Sequence, residues 1–326
     1  MPNGILSSGS FDVPLVSIVI PIFNCGRYIR TAIESVLSQT LQDFEVIVID
    51  DGSTDNSRDV VRSFSDRRIR LIEEYENAGP SRARNIGIDA AKGQWIAILD
   101  GDDWYDPQRL KTLLEIAISE QVDAIADDLY IFYEGQKEAS TTWVREYAIK
   151  LPDRCLLSPL DLVNNEIGVI KAIFKRSLFC KEGHRYNEAR VYGEDFLLYL
   201  DILLGGTNFI FVKRPMYYLR RGDTGSLTTD RLKLVERVIE LRQSLLNRAD
   251  VKDRPGLVDA LVKNIYELSI LKRYHSFVAP MRVGNYAAGV KLLINDRQIW
   301  HAIIKQVLNM IGRKFRRIEF RFVNNQ

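Results

Sequence analysis

Three cysteines and three histidines in 326 residues leave little material for thiol or imidazole chemistry. Cys25, Cys155 and Cys180 are odd in number and far apart, so they match neither a disulfide framework nor the paired spacing of a zinc site. They read as thiols of a reduced, cytosolic chain. His184, His275 and His301 are scattered without metal spacing and read as structural or surface residues. No run of about 18 apolar residues is present, and Met1 to Pro14 lacks the basic and apolar parts of a signal peptide. The expectation is a chain that does not cross a membrane. Charge of one sign is also lacking: 45 basic against 43 acidic residues leave a net charge of +2, so no global field favours nucleic acid. There is no repeat of about twenty to fifty residues and no low-complexity segment.

What is present is an apolar content of 46%, enough for one core of ordinary size plus an appendage of about a hundred residues. Val16 to Phe23 is a nearly continuous β-branched and aromatic run, the pattern of a strand buried on both faces. Ile29, Ala32, Ile33, Val36 and Leu37 then recur at helical spacing, and Phe44 to Ile49 reads as a second buried strand. The alternation continues with helices near Ser53 to Phe64 and Ser81 to Ala91, and strands at Ile69 to Ile72 and Trp95 to Leu99. Repeated units of this kind predict an α/β sheet with right-handed crossovers, which binds ligands beyond the carboxyl ends of its strands. Two of those ends carry acids, Asp50-Asp51 and Asp100-Gly101-Asp102-Asp103, and both should converge on one crevice.

Farther on, an Ile/Tyr/Phe-rich segment spans Asp123 to Tyr133, a helix starts at Glu194, and Phe209 to Val212 and Met216 to Leu219 read as two late strands. After Thr228 the pattern becomes helical: Arg231 to Arg248, Leu257 to Tyr274, Asn285 to Ile294 and Gln298 to Ile311. The expected division is a tail over residues 1–13, a catalytic domain over 14–228 and a helical extension over 229–326.

Carboxylates at strand ends without neighbouring Cys or His suit a hard cation, Mg²⁺ or Mn²⁺, which shares its shell with phosphates. Each cluster also has a plainer use as a strand-ending turn with a helix cap.

The residues then match a known family. Pro21-Ile22-Phe23-Asn24, the run Val48 to Asp55, the run Asn77 to Gly87, Leu99 to Asp103 and Gly193-Glu194-Asp195 together resemble the family 2 glycosyltransferases, in their order and spacing, across roughly residues 14–228. The resemblance implies a GT-A fold with a mostly parallel sheet, and inverting transfer of a sugar from a nucleotide diphosphate donor. It places Pro21 in the nucleotide-sugar site and Asp51 at the nucleotide base, with Arg84 in the segment that closes over the nucleotide. Asp100 falls in the acidic motif, Asp102 near ribose and metal, and Asp103 matches the main ligand of the cation. Asp195 matches the general base; read without the family it is an acid stabilised at a helix N-terminus. Where the family often has Arg, His and Ser, this chain has Arg221, Asp223 and Ser226. Asp223 is a candidate further metal ligand, or simply a turn residue between Gly222 and Gly225. Trp104 is a candidate beside the site.

The resemblance is nearest to enzymes of bacterial exopolysaccharide and succinoglycan assembly. It implies a hexose donor, glucose from UDP-glucose, a lipid-linked or oligosaccharide acceptor, and a cytoplasmic location. Residues 298–321 combine an apolar stripe with basic residues, which fits either an anionic membrane surface or a helix packed on the protein. A processive synthase would carry Gln-x-x-Arg-Trp and membrane helices, and neither is found. A nucleotidyltransferase would carry a Gly-rich loop and Lys after the first strand, where this chain has Pro21-Ile22-Phe23-Asn24. A dehydrogenase would carry Gly-x-Gly-x-x-Gly after a strand, which is also missing. The remaining alternative is a protein of the same fold that binds a nucleotide sugar without turnover.

Overall fold

The apolar run near the start becomes strand β1 (Val16–Ile22), in which all seven residues are buried. This computed structural model describes residues 13–136, 138–165, 167–190, 192–222, 231–296 and 298–324, with the side chains of Arg231 and of residues 314–324 outside that description. Ile29, Ala32, Ile33 and Val36, one helical face apart in sequence, are the buried side of α1 (Ile29–Leu37). There follow β2 (Phe44–Asp51), α2 (Ser57–Arg62), β3 (Ile69–Glu74), α3 (Pro80–Ala90), β4 (Trp95–Ile98), β5 (Trp104–Tyr105) and α4 (Arg109–Ser119). The middle of the chain forms β6 (Ala124–Tyr133), β7 (Thr141–Thr142), α5 (Trp143–Glu146), β8 (Arg154–Leu156), α6 (Pro159–Asn165), β9 (Ile173–Lys175) and α7 (Ser177–Cys180). The last elements are α8 (Glu194–Leu204), β10 (Phe209–Arg221), α9 (Arg231–Leu245), α10 (Ala249–Lys252), α11 (Pro255–Arg282), α12 (Tyr286–Asn295) and α13 (Gln298–Asn324).

Two compact units result. The first comprises Met1–Val144, Lys150–Ser158 and Ile167–Arg221 and contains every described strand; the second comprises Arg145–Ile149, Pro159–Glu166 and Gly222–Gln326. Thr228, the expected boundary, lies outside the described residues. Within the second unit α11 is the central element, packing against α6, α9, α12 and α13.

The sheet of the first unit runs β3-β2-β1-β4-β9-β6-β10-β5. Its long strands β3, β2, β1, β4, β6 and β10 point one way, while β9 opposes both its neighbours. The chain steps outward from β1 to β2 and β3, then returns to place β4 on the other flank of β1. That reversal opens a crevice beyond the carboxyl ends of β1 and β4.

The two late strands expected from sequence are one strand, β10, with a register shift between Val212 and Tyr217. Pro215 within the shift has no N–H to offer the ladder. The freed N–H of Met216 donates instead to Asp127 Oδ2 at 3.0 Å. Asp127 is fully buried and paired with the equally buried Arg109, whose Nη2 lies 2.8 Å from Asp127 Oδ1. The Arg109 guanidinium lies over the rings of Tyr105 and Tyr217 and also donates to the carbonyl of Lys171. The α11 helix also outruns its expected end at Tyr274, continuing through Pro280 to Arg282.

Removing one partner of a buried ion pair costs about 3–5 kcal/mol, because the other charge is left uncompensated. Urea denaturation of Arg109→Met should show a loss of that order, and adding Asp127→Asn should recover much of it. A single-variant loss below about 1 kcal/mol would mean that the pair does not hold the bulge.

Candidate active site

The loops at the crevice are stitched together by short polar residues. Asn24, at the left-handed φ of 52°, accepts the Thr54 N–H on Oδ1 at 2.9 Å and donates its own N–H to Ser53 Oγ at 2.9 Å. The Gly26 N–H donates to Asp55 Oδ2 at 2.9 Å, so the loops after β1 and β2 form one layer. Pro21 is buried in β1, in register with Ile49 of β2. Gly101 lies against this strand end: a Cβ there would fall 2.7 Å from Ile22 Cγ2, so only glycine lets the acidic turn approach.

Asp51 closes the loop before α3, with its two oxygens accepting the N–H groups of Ala78 and Gly79 at 2.9 and 2.8 Å. Burial pushes its carboxyl up, against the pull of those two N–H groups. Asp50 is fully buried and bound by Arg58 and the Ser53 N–H. It belongs to the framework.

The remaining expected residues meet in a chain of alternating charge. Arg84, buried in α3, donates Nη1 to Glu194 Oε1 at 2.9 Å and Nη2 to Asp100 Oδ1 at 2.8 Å. The other Asp100 oxygen lies 2.9 Å from Lys171 Nζ, and the same ammonium donates to Asp195 Oδ2 at 2.7 Å. Burial by itself would raise the Asp100 carboxyl, but the Lys171 and Arg84 charges outweigh it and hold the group below the usual carboxylate range. Burial would lower the Lys171 ammonium, and Asp100 and Asp195 together reverse that and raise it. Asp195 Oδ1 is buried and takes no hydrogen bond among the described residues. Asp195 itself is in the first turn of α8, after Gly193 at φ 75°. Its approach to Lys171 depends on Gly168, where a Cβ would fall 2.7 Å from Phe196 Cβ.

Asp103 and Asp102 are adjacent and differ in their partners. Asp103 is 1% exposed and accepts Tyr217 Oη–H at 2.7 Å and the Arg220 N–H at 2.7 Å, one on each oxygen. Burial, then Asp102 and Asp100, push its carboxyl well up. Asp102 takes no hydrogen bond from another residue and no ion pair on its carboxylate among the described residues, and burial with the charge of Asp100 raises it too, against the pull of its own backbone N–H. Arg220 donates Nε to the Asp102 carbonyl and lies between the rings of Tyr28 and Trp104, 4.7 Å from each centroid. Trp104 stacks on Tyr218 with a 5° interplanar angle.

Among the described residues, no three Asp, Glu, His or Cys side chains form a cation cage. The donor set instead fits a cation that takes one carboxylate here and completes its shell with water and substrate phosphates, the habit of Mg²⁺. Asp103, expected as the main ligand, already accepts one protein donor on each oxygen, whereas Asp102 accepts none from another residue among those described. Asp223 lies outside the described residues.

The Glycosyl transferase family 2 profile matches residues 17–179. The chain is a family 2 glycosyltransferase. It is 32% identical over 242 residues to the succinoglycan biosynthesis protein ExoO of Rhizobium meliloti, covering 72% of this chain and 69% of that protein. It is 28% identical over 231 residues to the glycosyltransferase GlyG of Streptococcus pneumoniae, covering 66% of this chain and 74% of GlyG. Among solved structures it resembles S. aureus TarS residues 1–349 bound to UDP-GlcNAc, with a TM-score of 0.61, 15% identity, and 87% of this chain and 91% of that one covered. It also resembles the mannosyltransferase PcManGT of Pyrobaculum calidifontis bound to GDP-Man and Mn²⁺, with a TM-score of 0.58, 16% identity, and coverages of 94% and 88%. The fold is therefore GT-A, as the motifs imply.

In this glycosyltransferase, sequence reading misses Lys171, Tyr217 and Arg220. Lys171 had a signal, since it is the one charge between Ile167 and Phe174. Arg221, which reading by motif selects, lies over the Trp143 ring instead, 5.2 Å from its centroid.

Lys171→Met would leave Asp100 and Asp195 without their shared cation, at a cost of about 3–5 kcal/mol near neutral pH. In the wild type, the depressed Asp100 contributes its stability in full above the unfolded value of about 3.9 and loses it as pH falls through its lower folded value. In the variant Asp100 protonates at higher pH and relieves the defect. Thermal melts of the two proteins should therefore converge as pH falls towards about 4; a gap that stays constant would rule out the ionic cause.

Proposed function

We propose that the chain transfers a hexosyl group, glucose from UDP-glucose, to the hydroxyl of a lipid-linked oligosaccharide during bacterial exopolysaccharide assembly, with inversion at the anomeric carbon. The observation that carries this reading is the state of Asp195: one oxygen is held by Lys171, and the other is buried and without a donor. An acceptor hydroxyl is the donor that this oxygen lacks. As the hydroxyl oxygen forms its bond to C1, Asp195 takes the proton, and the bond from C1 to the diphosphate breaks with its electron pair leaving on phosphate oxygen. Attack opposite the leaving group inverts C1. Lys171 and Arg84 hold Asp100 on the donor side of the same network.

Asp102 would hold Mg²⁺ or Mn²⁺ against the diphosphate, and a divalent cation supplies charge stabilisation for the leaving group there. Asp51 and Pro21 shape the base-binding end of the crevice, and Asp103 keeps the acidic turn against β10 through Tyr217 and Arg220. The neighbouring structures hold UDP-GlcNAc or GDP-Man, the latter with Mn²⁺, which supports a nucleotide-sugar donor and a cation. The relatives ExoO and ExoU, named for succinoglycan biosynthesis, support the exopolysaccharide setting. No described helix is long and apolar enough to cross a membrane. We place the reaction in the cytoplasm, at the inner face of the cytoplasmic membrane where a lipid-linked acceptor is presented.

Incubation with a panel of nucleotide sugars, with and without Mn²⁺ or Mg²⁺, tests the reaction. UDP release from UDP-glucose should require the cation and an acceptor from a bacterial membrane extract. Asp195→Asn should lower that release by about 10²–10⁴-fold while donor binding persists. Donor binding with no release from any sugar or extract would instead point to a binding protein.

Asp102→Asn and Asp103→Asn separate the two adjacent acids. The first should weaken Mn²⁺-dependent donor binding, measured by calorimetry, with little change in melting temperature. The second should lower the melting temperature by several degrees, about 1–3 kcal/mol for partners left unsatisfied around a buried group. The reverse pattern would return the cation to Asp103.

A further inference from the structure

The second unit presents apolar side chains outward along one helix face. On α13, Trp300, Ile304, Val307, Leu308 and Ile311 recur every three or four residues and are all exposed, Ile304 at 57% and Leu308 at 63%. The buried residues of the same helix, Ile299 and Ala302, lie on a different face and are spent on packing. On α12, Tyr286, Val290 and Ile294 recur every fourth residue and are exposed as well, Ile294 at 74%. Scattered exposed apolar residues are ordinary, but two successive helices each with an outward stripe are not.

Charge identifies the partner. From Lys305 to Arg321 the chain carries six basic residues against the single acid Glu319. Lys305 and Arg313 are partly engaged inside the unit, by Glu267 at 3.8 Å and by the Tyr147 ring. Lys314, Arg316, Arg317 and Arg321 add to them in the sequence. A second copy would bring a second segment of the same net positive charge, whereas paired helices place opposite charges along their seam. A layer of anionic headgroups over acyl chains satisfies both features, and Trp300 is of the type that settles at that boundary.

We propose that the outward face of α13 binds an anionic bilayer surface, with its exposed apolar stripe dipping into the headgroup boundary and the net positive charge of the segment favouring anionic lipid. The inference names the surface that would bring the protein to the lipid-linked acceptor proposed above and rests on that reading for its purpose. Its test uses neither donor nor acceptor, so the two readings can fail separately.

Flotation of the full chain with vesicles of phosphatidylglycerol and phosphatidylcholine, against phosphatidylcholine alone, is the experiment. The expected result is recovery with anionic vesicles, loss at high salt, and partition weakened by roughly tenfold or more in either Ile304→Glu/Leu308→Glu or Arg316→Glu/Arg317→Glu. Melting curves and circular dichroism would show that both variants fold. Absence of flotation with anionic vesicles overturns the proposal. So does flotation that both double variants leave unchanged. A concentration-dependent dimer in light scattering that Ile304→Glu/Leu308→Glu abolishes, without flotation of the wild type, would assign the stripe to a second copy.

Discussion

A single ammonium group joins two of the acids that meet at the candidate site. Lys171 Nζ lies 2.9 Å from Asp100, just beyond the end of β4, and 2.7 Å from Asp195, in the first turn of α8. These acids are 95 positions apart in sequence and lie on different elements. Without a cation between them, the two carboxylates would repel one another, and only the Arg84 bridge from Asp100 to Glu194 would still tie the α8 terminus to the acidic turn. The position of Lys171 is itself secured from below, where the Arg109–Asp127 pair reaches its carbonyl, and from the side, where Gly168 allows the chain to graze Phe196. Packing in the core thus sets the geometry of charges at the surface of the crevice.

The acids of this crevice are chemically alike and differ only in what donates to them. Asp50 is bound by Arg58, Asp51 by two backbone N–H groups, Asp103 by Tyr217 and Arg220, and Asp100 by Arg84 and Lys171. Those four are satisfied by the protein. Asp102 and one oxygen of Asp195 retain unused acceptor capacity. In the proposed reaction, a cation and an acceptor hydroxyl are the two groups brought from outside that these two acceptors would meet.

Much of this was legible in the sequence and the remainder was hidden for definable reasons. The strands β1, β2 and β4 and the helices α1 and α3 were legible because burial on both faces and a 3.6-residue period leave strong marks. Strand β9, three residues long and antiparallel, leaves none, and with it went the setting of Lys171. Pro215 marked the break in β10, but continuation of the strand beyond it depends on Asp127, contributed from β6. Arg220 and Arg221 show the limit of motif reading on a strand: successive side chains face opposite ways, so a shift of one residue exchanges a site cation for one on Trp143. The roles of the six acids were hidden for a related reason, since hydrogen-bond partners come from residues distant in sequence.

A buried carboxylate oxygen without a donor costs folding free energy, on the order of 1–3 kcal/mol by analogy with other unsatisfied buried groups. A rotation of the Asp195 side chain towards solvent would relieve that cost if nothing opposed it. The Lys171 bond to the other oxygen opposes it, since turning away would leave the ammonium with Asp100 alone. The ion pair therefore holds the Asp195 side chain in one orientation. For the proposed role as base this would be electrostatic preorganisation: reorganisation that would otherwise accompany proton removal is completed during folding.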